Sequence, residues 1–253
     1  MNVTFDFTGA VAVVTGGTRG IGRGIAQRLL SAGAEVVVCG RRAPDVMPSA
    51  SGRDSHFVAA DVRHADQAEA LIAEATARFG RLDLLVNNAG GSPPADALTA
   101  SPRFSTAIVE LNLLSALHAS QAAMRVMAGQ PSGGSIVQIA SVSGVRPSPG
   151  TAAYGAAKAG LLHLTRSLAV EWGPHVRVNA IIAGLIRTEA ASQHYGDEAR
   201  IASIAQTVPL RRLGTPDDIA DAVLFLASPA ASYISGAALQ VHGGGERPAF
   251  LDA

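Results

Sequence analysis

The chain has 253 residues, 48% of them apolar and 16% charged, with twenty basic side chains balanced by twenty acidic ones. A chain of this size buries one large core, and its neutral balance argues against a nucleic-acid face or a patch for anionic membranes. A single cysteine, Cys39, excludes an intrachain disulfide, no metal site is assigned, and no apolar run approaches the ~20 residues of a membrane span.

The opening M-N-V-T-F-D-F-T-G lacks the basic and apolar regions of a secretory signal, so a cytoplasmic location is expected. Ala10–Thr15 reads as a short apolar strand. It runs into G-G-T-R-G-I-G at Gly16–Gly22 and then a helix from about Ile21 to Ser31, stopped by Gly33. Glu35–Cys39 is a second apolar strand, which completes a βαβ unit. The glycines permit a tight turn, so that backbone N–H groups and the positive end of the helix meet a pyrophosphate. An acidic residue closing the second strand would bind the adenosine ribose. Here the place falls to Gly40, followed by Arg41 and Arg42, with Arg19 in reach. Positive charge without a carboxylate favours a 2′-phosphate, hence NADP(H) over NAD(H).

After a polar loop to about Asp54, His56–Ala60 is a third strand, followed by Asp61 and Val62. Asp61 either receives the adenine amino group or caps the helix at about Ala65–Phe79. Leu82–Val86 is a fourth strand. Its sequel, Asn87-Asn88-Ala89-Gly90-Gly91, suits the floor of a cofactor site. Pro102–Met127 reads as one long helix with Asn112 in its middle. Asparagine is a mediocre helix former, so it either has a specific role there or marks a bend or a water-bound carbonyl.

Gly134–Ala140 is the fifth strand, closed by Ser141, and Thr151–Trp172 is a helix carrying Tyr154 and Lys158. Val176–Ile182 is the sixth strand. Gly184 and the polar segment to Thr207, with Thr188, His194 and Tyr195, read as a mobile lid with some helix. Pro216–Ala227 is a further helix, and Ala238–Val241 the last strand before His242-Gly243-Gly244-Gly245. Seven strands alternating with helices imply an α/β fold, a parallel doubly wound sheet in one domain. Ligands then bind beyond the carboxyl ends of the strands, where Gly16, Asn88, Ser141 and Gly184 all fall.

Tyr154 and Lys158, four apart on a helix, share a face with Cβ atoms roughly 5–6 Å apart. A free tyrosine titrates near about 10. At an effective dielectric of about 20, an ammonium at about 4 Å is worth roughly 4 kcal/mol, enough to lower that pKa by a few units. Ser141, at a strand end, can donate to a substrate carbonyl oxygen. The alternatives are a surface Tyr–Lys pair and a turn serine.

These motifs resemble the short-chain dehydrogenase/reductase (SDR) family in its single-domain, Rossmann-like form, over nearly the whole chain. T-G-G-T-R-G-I-G at Thr15–Gly22, with Thr18 and Ile21 inside it, is similar to that family's cofactor turn. N-N-A-G at Asn87–Gly90 is similar to its sheet-supporting motif. Asn112, Ser141, Tyr154 and Lys158 stand at its catalytic positions.

The resemblance implies a hydride transfer between a nicotinamide cofactor and a ketone or secondary alcohol, a 3-oxoacyl thioester among the candidates. Tyr154 would act as general acid or base, Lys158 would lower its pKa and bind the nicotinamide ribose, Ser141 would steady the substrate oxygen, and Asn112 would hold a water. Ile186 would offer backbone groups to the carboxamide, and Thr188 a hydroxyl to the cofactor phosphate. A homotetramer is implied as well, with the two long helices at one interface, Ala156, Ala157, Ala159 and Gly160 as a small-residue face, and the tail Glu246–Ala253 reaching a neighbour. Two departures stand out: Ala183-Gly184 replaces a usual Pro-Gly, and His242 replaces a usual aspartate, where a packed or interface histidine is expected. Arg146 and Arg187 are the only cations placed to meet an acidic substrate. The reading from another class is a dinucleotide-binding regulatory protein without turnover.

Overall fold

The computed structural model describes residues 4–246. In chain order the elements are β1 (Val11–Thr15), α1 (Gly20–Ser31), β2 (Glu35–Gly40), β3 (Ser49–Ala50), β4 (Arg53–Asp54), β5 (His56–Ala59), α2 (Ala65–Phe79) and β6 (Leu84–Asn87). Then follow α3 (Pro102–Val109), α4 (Ser115–Met127), β7 (Gly134–Ser141), α5 (Ala152–Trp172), β8 (Val176–Ala183), α6 (Ala191–Tyr195), α7 (Glu198–Thr207), α8 (Pro216–Ala227) and β9 (Ala238–Val241).

A seven-stranded parallel sheet runs in the order β5-β2-β1-β6-β7-β8-β9. Its strands are apolar on both faces because both faces are covered. Val14, Val38, Val86 and Ile181 pack under α1 and α8, and Val13, Val37, Leu85 and Val178 pack under α2 and α4. Ala140, Ala180 and Ile182 meet Leu161 and Leu162 of α5. The fold is thus the single-domain, Rossmann-like α/β sheet that the alternation of elements implies. No helix among the described residues is long and apolar enough to cross a membrane.

Two glycines let helices lie close. A Cβ on Gly24 of α1 would stand 2.4 Å from Pro216 Cβ of α8, and one on Gly160 of α5 would meet Leu113 at 3.1 Å. The opening of α8 is secured by a reciprocal cap: Thr215 accepts from the Asp218 amide, and the Asp218 carboxylate accepts from the Thr215 amide at 2.7 Å. Arg212 holds the Asp218 carboxyl below the usual carboxylate range.

The structure departs from expectation in four places. The polar loop before Asp54 contains the antiparallel hairpin β3–β4, too short for a periodic signal. The helix expected over Pro102–Met127 is interrupted by a π-turn at Glu110–Leu114, with Asn112 inside it. Asp61 does not cap α2; the cap position is His64, without a side-chain bond, and the Asp61 carboxylate is engaged by Arg63. On α5, Ala157 faces the core at 2% exposure, so the outward small-residue face reduces to Ala156 and Ala159. Of the tail expected to reach a neighbour, residues 247–253, with Phe250 and Leu251, lie outside the described residues.

Candidate active site

All four special strand ends fall on one edge of the sheet, because every pairing is parallel. Thr15 is level with Cys39, Asn87 with Gln138, and Ser141 with Ala183. The first link across this edge is Thr15. Its hydroxyl accepts from the amides of Asn88 and Ala89, both at 3.0 Å, and donates to Val86 O at 3.4 Å. Asn88 answers by donating its amide to Thr15 O and Gly16 O, at 2.9 and 3.1 Å. The floor after β6 is therefore bonded to the turn after β1.

That turn needs its glycines. Gly16 and Gly20 have φ of +62 and +55, and a Cβ on Gly22 would lie 2.4 Å from both Asn88 Nδ2 and Gly16 O. α1 then begins at Gly20 with Arg19 at the cap position, no side-chain cap bond and no acidic residue in the first turn. Its leading N–H groups are left to an anion. Gly40 lies against Thr18, with 3.4 Å between a Cβ built there and Thr18 Oγ1, so Arg41 and Arg42 follow directly beside the turn. Arg19, Arg41 and Arg42 are exposed, and among the described residues none of them joins an ion pair. The donors and the shape fit a nicotinamide dinucleotide. Val62 is buried beneath this region, and Cys39 is buried with its thiol pushed up to about 11 by burial, hence inert.

Asn112 is almost fully buried. Its Oδ1 accepts from the Gly91 amide at 2.8 Å, and its Nδ2 donates to Gly91 O and to Ile108 O, both at 2.9 Å. The wide turn releases helical carbonyls from their ladder, and Asn112 satisfies one of them. Asn112 thus sits at the interruption of the helix and clamps the stretch after β6. A Cβ on Gly90 would stand 2.7 Å from Asn112 Oδ1 and 3.2 Å from Lys158 Nζ, so only glycine lets the backbone cross there.

Lys158 is buried and donates to Ile139 O at 2.8 Å. Its amine lies 5.7 Å from the centre of the Tyr154 ring. Burial pushes the Lys158 pKa down to about 8. Tyr154 is raised by burial, with a hydrogen bond to Ser141 working in the opposite direction. The expected lowering of Tyr154 is thus not the direction found. Desolvation of the phenolate dominates, and burial disfavours the charge of the neighbouring amine as well. The grouping itself is as expected, with Ser141, Tyr154, Lys158 and Asn112 converging at the ends of β6 and β7.

The lid holds α6 and α7, more ordered than its polar composition suggests. Ile186 and Gly214 form a parallel bridge, and Gly184 is pressed against His242. The partly exposed His242 ring bonds to Gln240 at 2.8 Å. Arg187 pairs with Glu198 at 2.8 Å and Arg146 with Glu246 at 2.6 Å, both on the surface. Thr188 and Ile186 flank the glycine turn and the strand edge respectively. Tyr195 is raised by burial, and it lies within the field of Tyr154 with the Ile186 amide toward its phenol. A small cavity of about 80 Å³ opens between Ser92, Phe104, Thr151 and Ala153. A larger one of about 410 Å³ lies behind Ile186, between Val208, Leu210 and His242, and does not include the tyrosine. Glu189 was not singled out from the sequence, whereas Thr15 and Gly91 stood there only as the ends of the turn and floor motifs.

A glycine cradle at a helix start, on the same sheet edge as a buried Ser–Tyr–Lys cluster, defines a dinucleotide-dependent oxidoreductase. Comparison with known proteins narrows the class. The enoyl-(acyl carrier protein) reductase family model matches residues 16–246, and the chain belongs to the short-chain dehydrogenase/reductase family, whose members act on CH–OH groups. It is 38% identical to the 2-dehydro-3-deoxy-D-gluconate 5-dehydrogenase of Escherichia coli, over 95% of this chain and 96% of the relative. It is also 38% identical to the 3-oxoacyl-[acyl-carrier-protein] reductase of Vibrio cholerae, over 94% and 98%. The solved structure of ligand-free aldohexose dehydrogenase from Thermoplasma acidophilum superposes with a TM-score of 0.88 at 32% identity, over 95% of each chain.

Proposed function

We propose that the protein transfers hydride between NADP(H) and a ketone or secondary alcohol of small to medium size. The convergence of Ser141, Tyr154 and Lys158 at one strand edge carries this reading. In reduction, Ser141 donates to the carbonyl oxygen while Tyr154 delivers the proton to it. In oxidation, Tyr154 removes the hydroxyl proton. Lys158 orders the ribose and stabilises the phenolate, and Asn112 holds Gly90 and Gly91 in place above it. The bound cofactor supplies the hydride or, oxidised, accepts it, and its pyridinium charge favours the phenolate. Ile186 and Thr188 meet the carboxamide and a phosphate. Gly16, Thr18, Arg19, Gly20, Ile21, Gly22, Asp61, Val62, Asn88, Ala89, Gly90 and Gly184 line the rest of the cofactor's path.

The preference for NADP(H) rests on Arg41 and Arg42, exposed, next to Thr18 and without an ion pair among the described residues. With Arg146 and Arg187 both held by glutamates, a neutral substrate suits the pocket better than an acidic one. A 3-oxoacyl thioester, neutral at its reacting end, fits this description. Assembly as a homotetramer uses the exposed faces of α4 and α5, where Ala156 and Ala159 permit close approach and Val170 is 84% exposed.

The test is a panel of ketones and 3-oxoacyl thioesters assayed with NADPH and with NADH. Turnover by the wild type, lost by a factor of about 10³ or more in Tyr154→Phe with cofactor affinity unchanged, is the expected outcome. Equal turnover in the two proteins would end the assignment.

A further inference from the structure

The N-terminus of α1 is capped by neither its own cap residue nor an acid in its first turn. The anion it does receive comes from far along the chain: Glu189 Oε1 accepts from the Gly20 amide at 2.7 Å, across 169 residues of sequence. Thr188 packs on the same spot, its Cγ2 3.6 Å from a Cβ built on Gly20. The lid thus touches the cradle at the backbone N–H that a pyrophosphate would use. Tyr195, at the other end of the same stretch, packs with Leu185 against Ala191, Ile201 and Leu213. Arg187, bonded to Glu198, ties this stretch to α7.

We propose that Glu189 is the protein's own stand-in for the cofactor pyrophosphate, a latch that closes the lid on the empty cradle and sets how tightly the dinucleotide binds. The proposal rests on the dinucleotide reading given above. One N–H cannot serve the carboxylate and the phosphate together in the geometry found, so binding requires Glu189 to let go. The released carboxylate remains beside the phosphates and repels them. Loading the cofactor and freeing the Thr188–Tyr195 stretch are then one event.

The experiment uses the full chain as wild type, Glu189→Ala and Glu189→Gln. NADPH and NADH are titrated calorimetrically, and the cofactor-free proteins are exposed to trypsin, which cuts at Arg187 and Arg200 in the lid. Removing a carboxylate from an exposed helix start is worth roughly a two- to fivefold change in an equilibrium constant. Glu189→Ala is therefore expected to bind both cofactors about two- to fivefold tighter, by the same factor, because the pyrophosphate is common to both. Its lid is also cut faster when cofactor-free, and Glu189→Gln falls between. Unchanged or weaker binding in Glu189→Ala, or an unchanged cleavage rate, overturns the latch. A wild type that binds neither cofactor removes the dinucleotide reading itself and the latch with it.

Discussion

The floor of the site and its lid are built on opposite principles. In the floor, Thr15, Asn88, Asn112 and Lys158 are bonded to backbone groups of neighbouring strands and of the loop after β6, and Asn112 and Lys158 are buried. In the lid, α6 and α7 rest on a small apolar cluster of Ala191, Ile201 and Leu213, and the polar contacts are exposed ion pairs such as Arg187–Glu198, with side chains 54% and 74% exposed. Buried bonds between a side chain and a strand backbone hold a reacting geometry, whereas exposed pairs are worth little and reform easily. Chemistry is thereby separated from selection: the floor can stay fixed while the lid varies.

The contrast breaks most readily at Asn112. Its removal in Asn112→Ala takes away the partner of the Gly91 amide and carbonyl and of the buried Ile108 carbonyl, and about 2 kcal/mol of stability should be lost, with activity falling alongside. Urea denaturation measures it, and a loss below about 1 kcal/mol would place Asn112 in the class of the lid pairs.

Lys158 tests the floor by pH. Its folded pKa of about 8 lies below the ordinary 10.5. Below pH 8 both folded and unfolded chains carry the charge, and the full desolvation cost is present. Between 8 and 10.5 the unfolded chain holds a proton that the folded one has released, so stability rises with pH. The cofactor-free wild type should gain up to roughly 3 kcal/mol across that window relative to Lys158→Met. Parallel pH profiles for the two proteins would contradict the burial argument.

Arg41→Asp sharpens the contrast from the cofactor side. It should shift the ratio of kcat/KM values from NADPH toward NADH by roughly tenfold while leaving stability near that of the wild type. The smallest effect belongs to the lid. Arg187→Ala should cost less than about 1 kcal/mol in thermal unfolding, and a larger cost would mean the lid is a folded part of the core.

What could be read in the sequence follows the same division. The strands were legible because each is a short apolar run between turn residues, and Ser141, Tyr154 and Lys158 because a strand end and a four-residue helical spacing fix them locally. The direction of the Tyr154 shift was not legible, since burial is a property of the packed surroundings rather than of the spacing. Neither was the role of Asp61, which depends on whether Arg63 turns back upon it. The bonds of Thr15 to the Asn88 and Ala89 amides were not legible, because a hydroxyl closing an apolar strand says nothing of the strand that will lie beside it. Glu189 was missed because its partner is brought to it only by the whole sheet.

The wide turn at Glu110–Leu114 has a further consequence. One residue more or less in a helix rotates everything after it by about 100°. With the extra residue absorbed there, Asn112 points to the cleft while Ala119 and Ala123 keep their places under the sheet. A single-residue deletion between Asn112 and Ala119 would therefore force a choice between the clamp and the core, and natural variation in length should fall outside that stretch.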